Sequence, residues 1–252
     1  MIKLENVVLA SPEQMEFIIQ GLRNPMNSWE KSDSAIVMSG GVFICGDNDI
    51  GLMRRLAKAG TDHRKFMRMM PVYVRITAPL YWWKEFSTYK VGTVANSCST
   101  MHKIHEKEFT LEDFSTDKLS TITLEDIQLL EELRDYDVEC YVHSVDIGNT
   151  ISELNLMRKL YLAANEKLKR KDLTDAERKY VTDQRKKFWW QMIQLLPSSY
   201  NQTRNVMLNY EVLANIYKSR KDHKLDEWRE FCKWIEELPY HELITGEIVK
   251  ED

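Results

Sequence analysis

Two hydrophobic periods divide this chain unequally, and that division constrains its class. In MPVYVRIT, Val72, Val74 and Ile76 alternate with Tyr73, Arg75 and Thr77, the period of a half-buried strand. From Ile151 onward, Ile151, Leu154, Met157 and Leu160 recur at helical spacing, and the chain reads as almost entirely helical to its end. Such a chain is α+β: a small, mostly antiparallel sheet fed by the N-terminal third, packed with a large helical portion. No composition shift marks a boundary, so residues 1–252 read as a single domain, with a charged helical hairpin insertion over about 164–187.

Local signals place the other elements. Ile2 to Leu9 reads as a strand. Ser11 as N-cap, Pro12 at the first helical position and Gln14 closing a capping box predict a helix that buries Met15, Ile18, Ile19 and Leu22 and stops at Asn24-Pro25. Ser34 to Cys45, interrupted by glycine, reads as a short hairpin or a loop. Asp47-Asn48-Asp49 can cap a second helix, with Ile50, Met53, Leu56 and Ala57 on one face and Gly60 as its stop. Pro79 starts a third helix, PLYWWKEFSTYK. Thr110-Leu-Glu-Asp and Thr123-Leu-Glu-Asp are two similar helix starts. Thr174 with Glu177 makes another capping box, and the helix that follows carries Phe188, Met192 and Leu195 to Pro197.

Composition excludes several function classes. The net charge is −4 with both signs interspersed, which argues against a nucleic-acid binder. No apolar run approaches the roughly 18 residues of a membrane-spanning helix. The opening MIKLENVVLASPEQ lacks the long apolar core of a secretion signal. Cys45, Cys98, Cys140 and Cys232 are scattered, neither a disulfide framework nor a zinc site, and the simplest setting is a reducing cytoplasm. Nine glycines supply neither a dinucleotide-binding turn nor a P-loop, so any nucleotide must be held in another way.

The segment Leu196 to Trp228 carries the densest chemistry and reads as helical. Asn209, Asn215, Arg204 and Arg220 interrupt its apolar pattern. Asparagine is a poor helix former because its amide competes for backbone hydrogen bonds. These amides either satisfy neighbouring backbone or bind a ligand, and the arginines either lie on a solvated face or hold an anion. On one helix Asn209 and Arg220 share a face but stand about 16 Å apart along the axis. A small ligand cannot touch both; an extended one, or a site shared between subunits, can. Elsewhere, Ser97, Cys98 and Ser99 followed by His102 read as a hydroxyl-lined loop or a nucleophile with its base. His102 and His105 are a weak metal-ligand spacing, and no metal is expected. Trp82-Trp83 and Trp189-Trp190 each read as contributing one ring to a core, with flavin stacking as the other reading.

Three segments in order resemble the flavin-dependent thymidylate synthases. LMRRLAKAGTDHR stands where that family has Leu-x-x-x-Gly-His-x-Thr-Pro, with His63 in place of its Thr and the Pro absent. MPVYVRITAPLYWWKEFSTYKVGTVANSCSTMHK resembles the family's strand, Ala-Pro, aromatic helix and Arg-His-Arg signature; here Thr88-Tyr89-Lys90 replace Arg-His-Arg, and Glu85 replaces a Gln. Leu196-Pro197, Arg204, Asn209, Asn215, Arg220, His223 and Trp228 match the family's third motif.

The resemblance implies that fold, and an enzyme that methylates dUMP to dTMP with methylene-tetrahydrofolate as one-carbon donor and FAD reduced by NADPH. It implies Arg220 as the catalytic group that activates the pyrimidine. Glu85, Thr88, Ser97, Ser99, Arg204 and Arg220 would bind dUMP, and His63, Thr88, Tyr89, Lys90, Asn209, Glu211, Asn215 and His223 would bind the flavin cofactor. A homotetramer with sites at subunit interfaces is implied as well. Arginine binds phosphate bidentately and lysine does not, so the replaced Arg-His-Arg keeps a second reading open. That reading is a divergent homologue acting on another pyrimidine nucleotide, or a non-catalytic ligand-binding or assembly protein of the same fold.

Overall fold

The computed structural model describes residues 2–37, 41–120, 123, 125 and 146–246. Among them run strands β1 (Lys3–Leu9), β2 (Ala35–Val37), β3 (Val42–Ile44), β4 (Pro71–Pro79), β5 (Val94–Ser97) and β6 (Asn201–Asn209). The helices are α1 (Pro12–Arg23), α2 (Asp47–Lys58), α3 (Leu80–Phe86), α4 (Gly148–Leu168), α5 (Asp175–Leu195), α6 (Tyr210–Arg220), α7 (Asp226–Glu236) and α8 (Glu242–Thr245). The class is α+β. A four-stranded sheet has the order β1-β4-β6-β5, and β2 with β3 forms a separate hairpin. The chain divides into two compact units, residues 1–97 with 202–252, and residues 98–201.

The first unit is built on β4. Val72, Val74 and Ile76 point into the core, while Tyr73 and Arg75 stay exposed, as the alternation requires. β1 pairs with it antiparallel, with a register shift between Glu5 and Val8 where Asn6 takes a positive φ of 52°. On the other side the Thr77–Thr203 hydroxyl pair at 2.7 Å and the Arg75 Nε–Asn205 Oδ1 bond at 3.2 Å set β6 antiparallel to β4. Beneath this sheet lie Trp82, Trp83, Trp228 and Phe231, each 1% exposed or less. Such rings bury about 150–250 Å² apiece, so this aromatic layer is a large part of the unit's apolar core.

The segment Leu196 to Trp228 is not one helix. Asn201–Asn209 is a strand, β6, and the helix α6 begins only at Tyr210. The sheet therefore draws a strand from the C-terminal part as well as from the N-terminal third. Inward positions Gln202, Val206 and Leu208 alternate with outward Thr203, Asn205 and Met207, but Gln202 and Arg204 mask the period because they are polar. The aromatic helix also ends early, at Phe86, so Thr88-Tyr89-Lys90 lie beyond it.

Helix starts follow local chemistry. Both halves of the Ser11/Gln14 and Thr174/Glu177 capping boxes are present. At Thr110 the box closes a single 3-10 turn, Leu111–Asp113. Leu124 and Asp126 of the Thr123 segment, and Cys140, lie outside the described residues. For α2 the expected Asp47-Asn48-Asp49 cap is corrected. The N-cap is Gly46, and the Asp33 carboxylate accepts the amides of Asn48 at 2.9 Å and Asp49 at 3.1 Å. A Cβ at Gly46 would fall 2.2 Å from the Asp33 carboxyl carbon, so only glycine admits this cap.

In the second unit, Leu154 on α4 and Met192 on α5 are fully buried with Ile104, Phe109 and Phe114. Residues 164–187 take in the end of α4, the turn and the first half of α5, where Arg178 donates to the Leu168 and Arg170 carbonyls at 3.0 and 2.9 Å. Among the described residues no helix is long and apolar enough to cross a membrane, and no group of three His, Cys, Asp or Glu is placed to hold a metal.

Candidate functional site

The aromatic layer of the first unit carries a buried-edge cluster of charges. Arg220, the last residue of α6, lays its guanidinium 4.8 Å from the Trp228 ring and 5.7 Å from the Tyr89 ring. Its Nε donates to Tyr89 Oη at 2.9 Å and its Nη1 to Glu85 Oε2 at 2.6 Å. Glu85 sits on the last turn of α3, directly above Trp82, which stacks on Phe86 at 5.0 Å and meets Trp228 at 4.7 Å. One oxygen of Glu85 accepts from two donors, Arg220 Nη1 and Trp228 Nε1 at 2.8 Å, with His223 Nε2 3.4 Å away. Charge-assisted bonds of this kind are about twice as strong as neutral ones, so the group is held rigidly.

The Leu225 amide donates to His223 Nδ1 at 3.2 Å, and the other ring nitrogen, Nε2, lies 2.9 Å from Arg220 Nη1. With Oε2 saturated, Glu85 Oε1 and Arg220 Nη2 are left without a partner among the described residues. Glu85 thus keeps an acceptor and Arg220 a donor beside the buried ring of Trp228.

A second group forms around Trp83. Arg204 on β6 places its guanidinium 4.2 Å over that ring and donates from Nε to Gln202 Oε1 at 3.0 Å. Burial pushes its pKa below the ordinary arginine value. Ser97 is its cross-strand partner in the β5–β6 register. A third group lies off α6. Glu211, 6% exposed, binds Arg64 at 3.4 Å and Arg68 more tightly, and Arg64 Nη2 reaches Asn215 Oδ1 at 3.2 Å.

Sequence-level candidates therefore separate. Glu85, Tyr89, Arg220 and His223 meet in one cluster; Ser97 meets Arg204; Glu211 meets Asn215. Ser99 belongs to the other compact unit, where its hydroxyl accepts the Met101 and His102 amides at 3.2 and 2.9 Å. Thr88 donates its hydroxyl to the Glu85 carbonyl at 2.8 Å, and Lys90 and His63 are exposed. Trp82 and Trp83 are both core rings, not one of the two, because α3 is short and packed on two sides. Trp189 and Trp190 meet edge to face at 4.8 Å, with Trp190 exposed. Arg64, Arg68 and the role of Trp228 as floor were not visible in the sequence; the unpaired acid Glu211 was the one available hint.

Asn209 is the junction of β6 and α6, and its amide has a local duty. Its Oδ1 accepts the Val212 amide at 3.0 Å, the N-cap of α6, so half of that amide serves the backbone. The Nδ2 half lies under Gly92, whose φ is 78°; a Cβ there would approach Asn209 Nδ2 and Val212 Cγ2 at 3.0 Å each. Gly92→Ala is expected to cost about 1–3 kcal/mol in denaturant unfolding, from the left-handed backbone and the crowded cap together.

No sequence-family model matches the chain, and no characterised protein matches it by sequence. Solved structures do. Thymidylate synthase X from Helicobacter pylori, solved with FAD and dUMP, superposes with a TM-score of 0.59 at 16% identity over 98% of both chains. A second structure of the flavin-dependent thymidylate synthase of H. pylori, complexed with FAD and dUMP, gives 0.53 at 16% identity, over 98% of this chain and 97% of that one. The likeness spans the full length and establishes a shared fold.

Proposed function

We propose that this chain is a flavin-dependent enzyme of the thymidylate synthase class, methylating dUMP to dTMP with methylene-tetrahydrofolate as donor and FAD reduced by NADPH. The observation that carries this reading is the Arg220–Glu85–Tyr89–His223 cluster on Trp228, set in a fold shared with proteins solved with FAD and dUMP. Both compact units act as one domain, with 164–187 as a hairpin insertion. The active form is a cytoplasmic homotetramer whose sites lie at subunit interfaces.

In this reading Arg220 faces the uracil ring. Its Nη2 edge points a fixed positive charge at the ring's carbonyl, where negative charge grows during attack, and it stands on rings that exclude water. Glu85 and Tyr89 fix the plane of the guanidinium, and Glu85 Oε1 accepts a ring N–H. Arg204 and Ser97 hold the phosphate-bearing end of the nucleotide, helped by Thr88. The donor set suits a flavin: the Nδ2 atoms of Asn209 and Asn215 match acceptor atoms of the isoalloxazine edge, and the exposed cation of Lys90 matches a phosphate, with His63 beside it. When bound, the reduced flavin supplies the reducing equivalents.

One observation favours a second reading. The 2.6 Å ion pair with Glu85 offsets the charge of Arg220, and Thr88-Tyr89-Lys90 offer one cation in place of several. A divergent homologue for another pyrimidine nucleotide, or a silent binding protein, has no need of the full charge. The purified protein decides between them. It should be yellow, or FAD should raise its thermal midpoint, because a ligand that binds only the folded state stabilises it. A colourless protein with an unmoved midpoint rules out the flavoenzyme, and rescue of a thymidine-requiring strain tests the substrate.

A further inference from the structure

One face of α1 carries chemistry that the Arg220 cluster does not use. Glu16, Ile19 and Gln20 lie at i, i+3 and i+4, neighbours on the helix surface. Between this face, the turn at Trp29 and strand β3 opens a cleft of about 460 Å³. Ile19, 2% exposed, is its floor, and Trp29 and Phe43 supply its aromatic rings. Glu16 is the one charged side chain that lines it, and no basic group does. That carboxylate has neither a hydrogen bond nor an ion pair among the described residues.

The hydroxyl and indole donors around the cleft are already spent. Ser32 Oγ donates to Asp49 Oδ2 at 2.8 Å, and Ser34 Oγ donates to the same oxygen at 2.6 Å. A hydroxyl has one proton, so both serines can offer the cleft only lone pairs. The ring N–H of Trp29 donates to Asn24 Oδ1 at 2.8 Å, which also holds the indole in place. Asp49 adds no net charge behind the serines, because Arg23 pairs with it at 2.6 Å. An unpaired carboxylate, hydroxyl acceptors and two aromatic rings complement a cation that carries N–H donors. An ammonium group satisfies all of them: the carboxylate by charge, the lone pairs by its N–H bonds and the rings by cation–π attraction.

We propose that this cleft binds a small primary amine, with its ammonium at Glu16 and its apolar stem against Ile19, Trp29 and Phe43. The site stands apart from the flavin and pyrimidine reading. None of its lining residues belongs to the proposed catalytic or cofactor sets, and none hydrogen-bonds to a member of them. Its serines adjoin Asp49 at the start of α2, whereas the end of that helix that leads to His63 lies about 14 Å further along the axis.

Butylammonium is the probe, titrated at constant ionic strength into the isotope-labelled full chain while the Trp29 indole resonance is followed; Trp29→Phe assigns that resonance. Butanol, of the same length and without the charge, is the control. The shift is expected to saturate with butylammonium, and butanol should bind at least about fivefold more weakly. Glu16→Gln should weaken butylammonium binding by about threefold or more, and Glu16→Lys should abolish it. Both variants should keep the wild-type thermal midpoint, because Glu16 is exposed. Equal binding of butanol overturns the proposal, as does full affinity in Glu16→Gln or a shift that never saturates. Displacement of butylammonium by saturating FAD overturns it too, by making the cleft part of the cofactor site. A chain that binds butylammonium and never binds FAD would refute the flavoenzyme and leave this site standing.

Discussion

Asp49→Asn is expected to lower the free energy of unfolding by about 3–5 kcal/mol, the range for breaking one partner out of a buried ion pair. Asp49 is fully buried, and Arg23, 3% exposed, donates from Nε to Oδ1 at 2.6 Å. Its other oxygen takes the hydroxyls of Ser32 at 2.8 Å and Ser34 at 2.6 Å, and the amides of Asp33 and Ser34 at 3.2 and 3.1 Å. Asparagine keeps the shape but replaces one acceptor by a donor, which then meets other donors. Arg23 is left charged and without its carboxylate, with its Nη2 already lacking a partner among the described residues.

The pH dependence has a definite sign. Burial raises the Asp49 pKa, but the Ser34, Ser32 and Arg23 contacts outweigh it and the net shift is downward. A depressed carboxylate stabilises the fold above its unfolded value near about 3.9 and loses that contribution as pH falls through the lower folded value. Denaturant unfolding at neutral pH and at pH values below about 4 should show the wild type losing stability with acid while the variant changes less. A difference at neutral pH under about 1 kcal/mol would sink this account. The pair pins the end of α1 to the start of α2.

The fold was partly legible because some elements announce themselves locally. Val72, Val74 and Ile76 state a strand, and the Ser11/Gln14 and Thr174/Glu177 boxes state helix starts, without reference to any other part of the chain. β6 was hidden for two reasons. Its inward positions include Arg204, which lies over Trp83, and Gln202, whose side chain accepts from Arg204, and it runs into α6 with no intervening turn. The α2 cap was hidden because Asp33 lies well upstream, and a nearer acidic triplet offered a plausible substitute. At the candidate site, residue type pointed to Arg220 but spacing could not supply its partners. Tyr89, Glu85 and the Trp228–Glu85 contact bridge 131, 135 and 143 positions of sequence. Asn209 reversed the inference: a polar residue that seemed to interrupt a helix is the cap that begins one.

Arg220→Ala is expected to reduce turnover by at least about 10²–10³-fold, the loss seen when one fixed electrostatic donor is removed from a developing charge. The fold should survive. Glu85 Oε2 keeps the Trp228 donor and its carboxylate is a third exposed, so no buried charge is orphaned, and Arg220 contributes no backbone role beyond the end of α6. Flavin absorbance should therefore be retained while dTMP formation is lost. Arg220→Lys separates charge from shape. A lysine keeps the cation but cannot hold Tyr89 Oη and Glu85 together with a planar fork, so it should recover little of the rate. Two outcomes would redirect the assignment. Loss of flavin from Arg220→Ala, with the thermal midpoint unchanged, would place the guanidinium on the cofactor and not on the pyrimidine. Turnover within about tenfold of wild type, a loss under about 1.4 kcal/mol of transition-state stabilisation, would mean that the Glu85 pair has already spent the charge of Arg220 within the protein.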